Sequence, residues 1–215
     1  IGQDNQHFKV LVDTGSNWLW VPDISLQNQR IFKKRYACEK EKNCIKSTEE
    51  LDIHYGKGDV IGYPAQDKVC IAQQCVKSQD FLLAFEIDNL DYLEGDGLLG
   101  LGLPSEEKKD KPTILDRLYE EGVIQERVFS LYLKGSFYKE SYEGKLTLGG
   151  PDKDLIRGKK ITYANVEDDG YWLVNLHKFV IGAKVWAHDY KAIIDSGSSC
   201  IHVPAGIYRQ IMDEI

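Results

Sequence analysis

Two stretches of the chain carry the same short pattern, an aspartate followed by a hydroxyl residue, a glycine and a serine. They are Asp13–Ser16 and Asp195–Ser198, and the similarity extends outward from both in constant register. Two carboxyl groups held in contact cannot both ionise easily, so they share one proton and their pKa values move apart. The ionised group can then activate a water as a general base, while the protonated group donates to a carbonyl under attack. If a two-fold arrangement brings Asp13 and Asp195 together, the repeat predicts a site able to hydrolyse a peptide bond without a covalent intermediate.

The residues around each aspartate indicate how the chain would position it. Apolar, strand-forming residues precede both acids, at Val10–Val12 and at Ala192–Ile194. An acid at the end of a buried strand is costly to ionise unless hydrogen bonds support it. Gly15 and Gly197 allow the sharp turn that directs amide N–H groups and the neighbouring hydroxyls toward the carboxylate. The repeat therefore predicts two lobes that each contribute one strand, one turn and one acid.

Composition places the chain among ordinary globular proteins. It has 215 residues, 42% hydrophobic and 28% charged, with a formal net charge of -7. This acidic balance argues against nucleic acid as a partner, because phosphates require a basic surface. No apolar run approaches the roughly 18 residues of a membrane helix. The sequence begins at Ile1 without a methionine, so we expect a piece of a longer protein.

The five cysteines indicate an oxidising compartment. Cys38 and Cys44 bracket one short segment, and Cys70 and Cys75 bracket another. Both spacings favour local disulfides, with free thiols as the alternative, and they are too wide for a zinc knuckle. We expect no metal site. Cys200 is the odd cysteine, and we expect a small buried residue there and not a nucleophile, because the sequence places no histidine to activate it.

Periodicity predicts a mostly β chain with two helices. Thr113 caps the first helix, which ends before Gly122, and the second follows Pro204 with Ile207, Ile211 and Ile215 on one stripe. Glu106–Lys111 is predicted to be a solvated loop. The strand predictions are Phe8–Val12, Trp18–Val21, a short strand at Phe81–Phe85, and hairpins over Leu51–Val60 (with a glycine-rich tip) and Val69–Val76.

Four motifs resemble those of the pepsin-like aspartic proteases, and the resemblance covers nearly the whole chain. DTGSNWLWVP and AIIDSGSSCIHVP resemble the two active-site motifs, HYGKGDVIG resembles the flap over the substrate, and DGLLGLG resembles the loop that threads the first acid region. The resemblance implies a mostly β, bilobal acid protease fold. We expect residues 1–150 to form the first lobe with the flap. Residues 151–215 would form the inter-lobe region and the start of the second lobe, which carries the second acid. About the last third of such an enzyme would lie outside this sequence.

The resemblance also implies residue roles. Asp13 and Asp195 correspond to the catalytic pair, and the flap tyrosine corresponds to Tyr55, whose hydroxyl meets Trp20. The supporting residues implied are Thr14, Ser16, Trp20 and Ser196, and the substrate-binding residues implied are Gly15, Tyr55, Gly56, Lys57, Leu98, Tyr171, Gly197 and Ser198. Lys57 departs from the family, which usually has a small hydroxyl residue there, and the Cys70–Cys75 pair is not a usual family feature.

The predicted function is that of an aspartic endopeptidase with an acidic pH optimum and no cofactor. Its expected partners are protein or peptide substrates and its own pro-segment or a peptide-like inhibitor. We expect a monomer in the secretory pathway, either secreted or in an acidic vesicle. One alternative is a catalytically silent protein of the same fold that binds peptides or proteins. Another is a glycoside hydrolase, which also uses two carboxylates but would leave the repeat unexplained.

Overall fold

The computed structural model describes residues 1–27, 32–90, 93–104, 111–136, 141–168 and 170–213, and the chain is mostly β. No helix in these ranges has both the length and the apolar composition that crossing a membrane requires. The strands are β1 Val10–Asp13, β2 Leu19–Pro22, β3 Ile45–Lys46, β4 Leu51–His54, β5 Asp59–Ile71, β6 Gln74–Asp88, β7 Gly97–Gly100, β8 Phe129–Ser136, β9 Ser141–Leu148, β10 Val166–Asp168, β11 Trp172–Ile181 and β12 Lys184–Ile193. The α-helices are α1 Ile114–Glu120, α2 Lys153–Ile156 and α3 Ala205–Met212, and a short 3-10 helix spans Cys38–Lys40.

A seven-stranded sheet positions the first acid. Its order is β1-β7-β2-β6-β5-β3, and β4 pairs with β5 beside it. Strand β7 lies parallel to β1 and antiparallel to β2, while β2 lies parallel to β6. Short strands β1 and β7 therefore end side by side, and Asp13 is paired with Gly100 at that end.

The core lies on both faces of this sheet. All four residues of β2 are buried. Leu19 and Val21 belong to one apolar cluster, while Trp20 belongs to a second one that includes Leu82 and Leu98. Because successive side chains of a strand point to opposite faces, β2 is covered by apolar side chains on each side. Burial on both faces holds β2 in place, and with it Trp20, the residue predicted to contact the flap.

Two hairpins confirm the predictions made from turn residues and cysteine spacing. Strands β4 and β5 are antiparallel and flank the turn at 55–58. Strands β5 and β6 form a longer hairpin in which Cys70 stands opposite Cys75 and is disulfide-bonded to it. Cys38 and Cys44 form the second disulfide. The predicted short strand at Phe81–Phe85 is in fact the inner part of β6, because pairing with β5 extends it in both directions.

The two predicted helices are present. Thr113 caps α1 in a reciprocal capping box with Asp116, and Gly122 follows with φ +70°, a conformation that favours glycine. Helix α3 begins after Pro204, while the predicted contribution of Ile215 lies outside the described residues. The predicted loop at Glu106–Lys111 also lies outside them except for its last residue.

The second half of the chain forms separate, smaller sheets. Strands β8 and β9 pair as a hairpin, and β10, β11 and β12 form a three-stranded sheet that leads into the second acid. Gly149–Gly150–Pro151, at the predicted end of the first lobe, lie between β9 and α2. Cys200 is an exposed free thiol, so the prediction of a buried residue is wrong. Exposure at this position depends on long-range packing, which the local sequence does not specify.

Candidate active site

The first site loop, residues 13–18, leaves β1 and is held by backbone hydrogen bonds from β7 and the residues that follow it. Leu101 N–H donates to the Asp13 carbonyl at 2.7 Å, and Gly102 N–H donates to the Ser16 carbonyl at 2.7 Å. Gly100 N–H donates to the Trp18 carbonyl at 2.9 Å. The loop is therefore fixed at its start, middle and end by one neighbouring segment.

Within this loop, the carboxyl of Asp13 is supported by the groups predicted from the pattern. Gly15 N–H donates to Oδ1 at 2.9 Å, and the Ser16 hydroxyl donates to Oδ2 at 2.5 Å. Asp13 is buried, with 5% of its surface exposed. Each carboxyl oxygen thus has a donor within the loop itself.

The second site loop, residues 195–198, repeats this arrangement beyond the end of β12. Gly197 N–H donates to Asp195 Oδ1 at 2.8 Å, and the Ser198 hydroxyl donates to Oδ2 at 2.7 Å. Asp195 is half-buried, whereas Gly197 and Ser198 are exposed. The two acids therefore have the same donors but different access to solvent.

Crossed hydrogen bonds join the two loops through the hydroxyl residue that follows each acid. Thr14 N–H donates to the Ser196 hydroxyl at 3.1 Å, and Ser196 N–H donates to the Thr14 hydroxyl at 2.9 Å. Each hydroxyl in turn donates across to the opposite strand end, Thr14 to the Ile194 carbonyl and Ser196 to the Val12 carbonyl, both at 2.7 Å. These four reciprocal bonds are what the predicted two-fold arrangement requires.

The glycines bring the acids close together. A Cβ atom added at Gly15 would lie 2.6 Å from the Asp195 carboxyl carbon. A Cβ atom added at Gly197 would collide with Oδ1 of Asp13. Each carboxyl therefore occupies the space beside the opposite glycine, and only a residue without a side chain fits there.

The two carboxyls, hereafter the dyad, have pKa values that diverge. Burial raises the pKa of Asp13 above its ordinary value of 3.8. The hydrogen bonds from Ser16 and Gly15 act to lower this pKa but do not cancel the rise, and the hydrogen bond with Asp195 adds to it. Burial also acts to raise the pKa of Asp195, but hydrogen bonds from its own loop outweigh it. Together with the bond to Asp13, they hold the pKa of Asp195 below 3.8. Between these two values the dyad carries one proton, which the two carboxyls share.

Tyr55 reaches the dyad from the β4–β5 turn. Trp20 Nε1–H donates to the Tyr55 hydroxyl at 3.0 Å, and that hydroxyl is also hydrogen-bonded to Ser16. Burial raises the pKa of Tyr55 well above its ordinary value, and the charge of Asp13 adds to the rise.

The remaining residues named from the sequence lie at different depths. Gly56 and Lys57 are exposed at the tip of the hairpin. Tyr171 is 43% exposed just before β11, whereas Leu98 is only 5% exposed and packs with Trp20 in the core. The structure thus brings both site loops, with their acids, hydroxyls and glycines, together with Tyr55 and Trp20. It places Leu98 in the core beneath them.

Sequence reasoning missed the role of Leu101 and its partner Trp172 as supports. Leu101 is 1% exposed, and its carbonyl accepts a hydrogen bond from Trp172 Nε1 at 2.8 Å while its N–H holds Asp13. The alternation of glycine and leucine in DGLLGLG was the available signal, because it indicates close backbone approach. One described cluster offers donor atoms suited to a metal ion, and it lies away from the dyad, at Asp52, His54 and Asp59.

A mostly β chain in which two Asp-hydroxyl-Gly-Ser loops share hydrogen bonds and place their carboxyls together has the arrangement of the aspartic proteases. The sequence profile of the eukaryotic aspartyl protease family matches residues 1–215, and the chain belongs to that family. Its fold is the pepsin-like fold.

Several curated relatives are similar along the chain. It is 31% identical to aspartic proteinase oryzasin-1 of Oryza sativa subsp. japonica over 100% of its length, covering 43% of that protein. It is 33% identical to gastricsin of Oryctolagus cuniculus over 99% of its length, covering 56% of that protein. Human cathepsin D is 29% identical over the whole chain, which covers 56% of it. The chain thus spans about half the length of the curated relatives it matches.

Proposed function

We propose that this chain carries the catalytic pair of an aspartic endopeptidase, with Asp13 and Asp195 activating one water between them. The observation that carries the proposal is the set of four reciprocal hydrogen bonds between the loops at Thr14 and Ser196. A structural turn needs no such partner, whereas a pair of acids that share a proton must be held at fixed separation.

The chemistry follows from the divergent pKa values. Asp195, the more acidic and more exposed group, takes a proton from the water as it attacks the peptide carbon. Asp13 donates its proton to the carbonyl oxygen, so negative charge does not build up on that oxygen. The Ser16 and Ser198 hydroxyls keep the carboxyl planes in place while the proton moves.

Substrate recognition is proposed to involve the β4–β5 hairpin and the two glycine loops. An extended peptide beneath the hairpin would bind through its backbone, with alternating side chains directed to opposite walls. Tyr55, Gly56 and Lys57 would contact it from above, and Gly15, Gly197 and Ser198 from below. Tyr171 is proposed for a side wall, and Leu98 is proposed to support the site from the core beneath it.

The cellular setting is proposed from the two disulfides, which form and persist in oxidising compartments. The secretory pathway or an acidic vesicle provides such a compartment. We further propose that the lobes divide near residue 150 and that the working protein is a monomer.

The test is hydrolysis of a denatured protein at acid pH. Asp13→Asn and Asp195→Asn keep the shape of each side chain and remove its titration, so each is expected to lower kcat/KM by about 100-fold or more. Asp189→Asn is the matched control, because its side chain is 93% exposed on β12. Activity that survives either dyad change would overturn the proposal. Binding of a hydroxyl-bearing peptide isostere without turnover by the unmodified chain would instead indicate a peptide-binding protein.

A further inference from the structure

The β4–β5 hairpin carries a histidine and two aspartates that the dyad does not use. His54 and Asp59 stand opposite each other in the strand register, and Asp52 lies two residues before His54 on the same face. Asp59 Oδ1 is 2.6 Å from His54 Nδ1, and Asp52 Oδ2 is 3.6 Å from His54 Nε2. Within the described ranges this is the one group of three such residues whose donor atoms all lie within 4.8 Å of one another.

The two aspartates meet different nitrogens of the imidazole, and this assigns them different roles. The short contact with Asp59 is a hydrogen bond, and in the neutral tautomer that carries its proton on Nδ1 the lone pair of Nε2 lies on the side of Asp52. Histidines that bind metals almost always donate their other ring N–H to a carboxylate or carbonyl in this way. The arrangement is therefore that of an oriented ligand and not only of an ion pair.

The spacing on the other side of the ring fits a shared ion. Two ligands each about 2.1 Å from a tetrahedral zinc ion lie about 3.4 Å apart. The separation between His54 Nε2 and Asp52 Oδ2, 3.6 Å, is close to this value. The 2.6 Å contact with Asp59 is too short for two ligands of one ion, so Asp59 lies outside the ion's own ligand set.

We propose that Asp52 and His54 bind a divalent transition-metal ion of the zinc class, with Asp59 as the residue that positions the imidazole. The side chains of His54, Asp52 and Asp59 are 74%, 44% and 45% exposed, so an ion reaches them from solvent and water completes its coordination. Both ligands belong to β4, and the hydrogen bond from His54 to Asp59 connects them to β5 next to the turn that carries Tyr55.

The experiment is calorimetric titration of the full chain with zinc chloride at about pH 7.5, where metal-binding imidazoles are neutral. One site is expected, and Asp52→Asn or His54→Gln is expected to abolish it. Asp59→Asn is expected to weaken it by about 10- to 100-fold, the usual effect of losing an outer-shell partner. His177→Gln is the matched control, because His177 pairs across β11 and β12 with Asp189 at 3.0 Å but belongs to no three-residue cluster in the described ranges.

A second readout needs no variant. The ring ¹⁵N spectrum of the histidines should show zinc shifting Nε2 of His54 while Nδ1 stays protonated. Absence of zinc binding, or a site that survives His54→Gln, would overturn the proposal, and an Asp59→Asn variant that binds as tightly as the unmodified chain would overturn the role of Asp59. Neither measurement uses peptide hydrolysis, so the result is independent of the proposed function.

Discussion

Replacing Thr14 with valine removes one hydroxyl from the crossed bonds between the two site loops while keeping the branched shape of the side chain. That hydroxyl accepts from Ser196 N–H at 2.9 Å and donates to the Ile194 carbonyl at 2.7 Å. Thr14→Val therefore leaves one N–H and one carbonyl without their partners. The bond from Thr14 N–H to the Ser196 hydroxyl does not depend on the changed group.

The expected loss of stability is about 1–3 kcal/mol. Each lost hydrogen bond contributes about 1 kcal/mol net, and an orphaned buried group costs about 1–3 kcal/mol. Thr14 itself is 5% exposed, but the side chain of Ile194 is 57% exposed and Ser196 is only half-buried. Water can therefore reach part of the vacated site. The total loss of stability is thus at the lower end of the range expected for two fully buried groups left without hydrogen-bond partners.

The assay is urea unfolding of the full chain, with two controls that bracket the result. Thr14→Ser keeps the hydroxyl and is expected to lose less than about 1 kcal/mol. Thr147→Val makes the same substitution at a buried hydroxyl that has no hydrogen-bond partner within the described residues, so it is expected to be neutral or stabilising. The reasoning is refuted if Thr14→Val leaves the free energy of unfolding unchanged, or if Thr147→Val lowers it as much.

Three further predictions concern the groups around the dyad. Tyr55→Phe leaves Nε1 of the fully buried Trp20 without its acceptor, so the free energy of unfolding should fall by about 1–3 kcal/mol in the same urea assay, and an unchanged midpoint would contradict it. Gly197→Ala drives a methyl group into the Asp13 carboxyl and should reduce peptide hydrolysis at least about tenfold. Gly206→Ala, where an added Cβ meets nothing within 4 Å, should leave hydrolysis unchanged, and equal effects of the two would count against the geometry. The pH profile of kcat/KM should be bell-shaped. It rises as the acid with the lowered pKa loses its proton below 3.8, and it falls as the acid with the raised pKa loses its proton above 3.8. A profile with only one limb would be inconsistent with a shared proton.

The sequence predicted the site loops well because the hydrogen bonds that shape each loop join residues close together in the chain. Each acid is supported by the glycine two residues on and the serine three residues on, so a four-residue pattern specifies the hydrogen bonds. The constant register of the repeat also predicted a two-fold arrangement. Thr14 and Ser196 occupy equivalent positions in it, and the structure bonds them to each other.

Features that depend on distant packing were not predictable in this way. Leu98 is apolar and adjacent to glycines, and only the sheet order shows that it lies in the core with Trp20. The thiol of Cys200 is exposed, as are Ser199 and Ile201 beside it, although we expected a small buried residue there. The alternation of apolar and polar residues along β10–β12 is weak, and these strands are only partly buried. Exposure is a property of the assembled chain, and no short window encodes it.

The most direct test of the account is a carboxyl ¹³C NMR titration of the chain labelled at aspartate, with Asp13→Asn and Asp195→Asn used to assign the two resonances. Asp195 is expected to titrate below 3.8 and Asp13 above 3.8. Each resonance should also show the step of its partner, because the two acids share one proton. Asp195→Asn is expected to lower the pKa of Asp13, because it removes the charge of Asp195 that helps to raise it. Two independent titrations near 3.8, unaffected by loss of the other acid, would contradict the dyad.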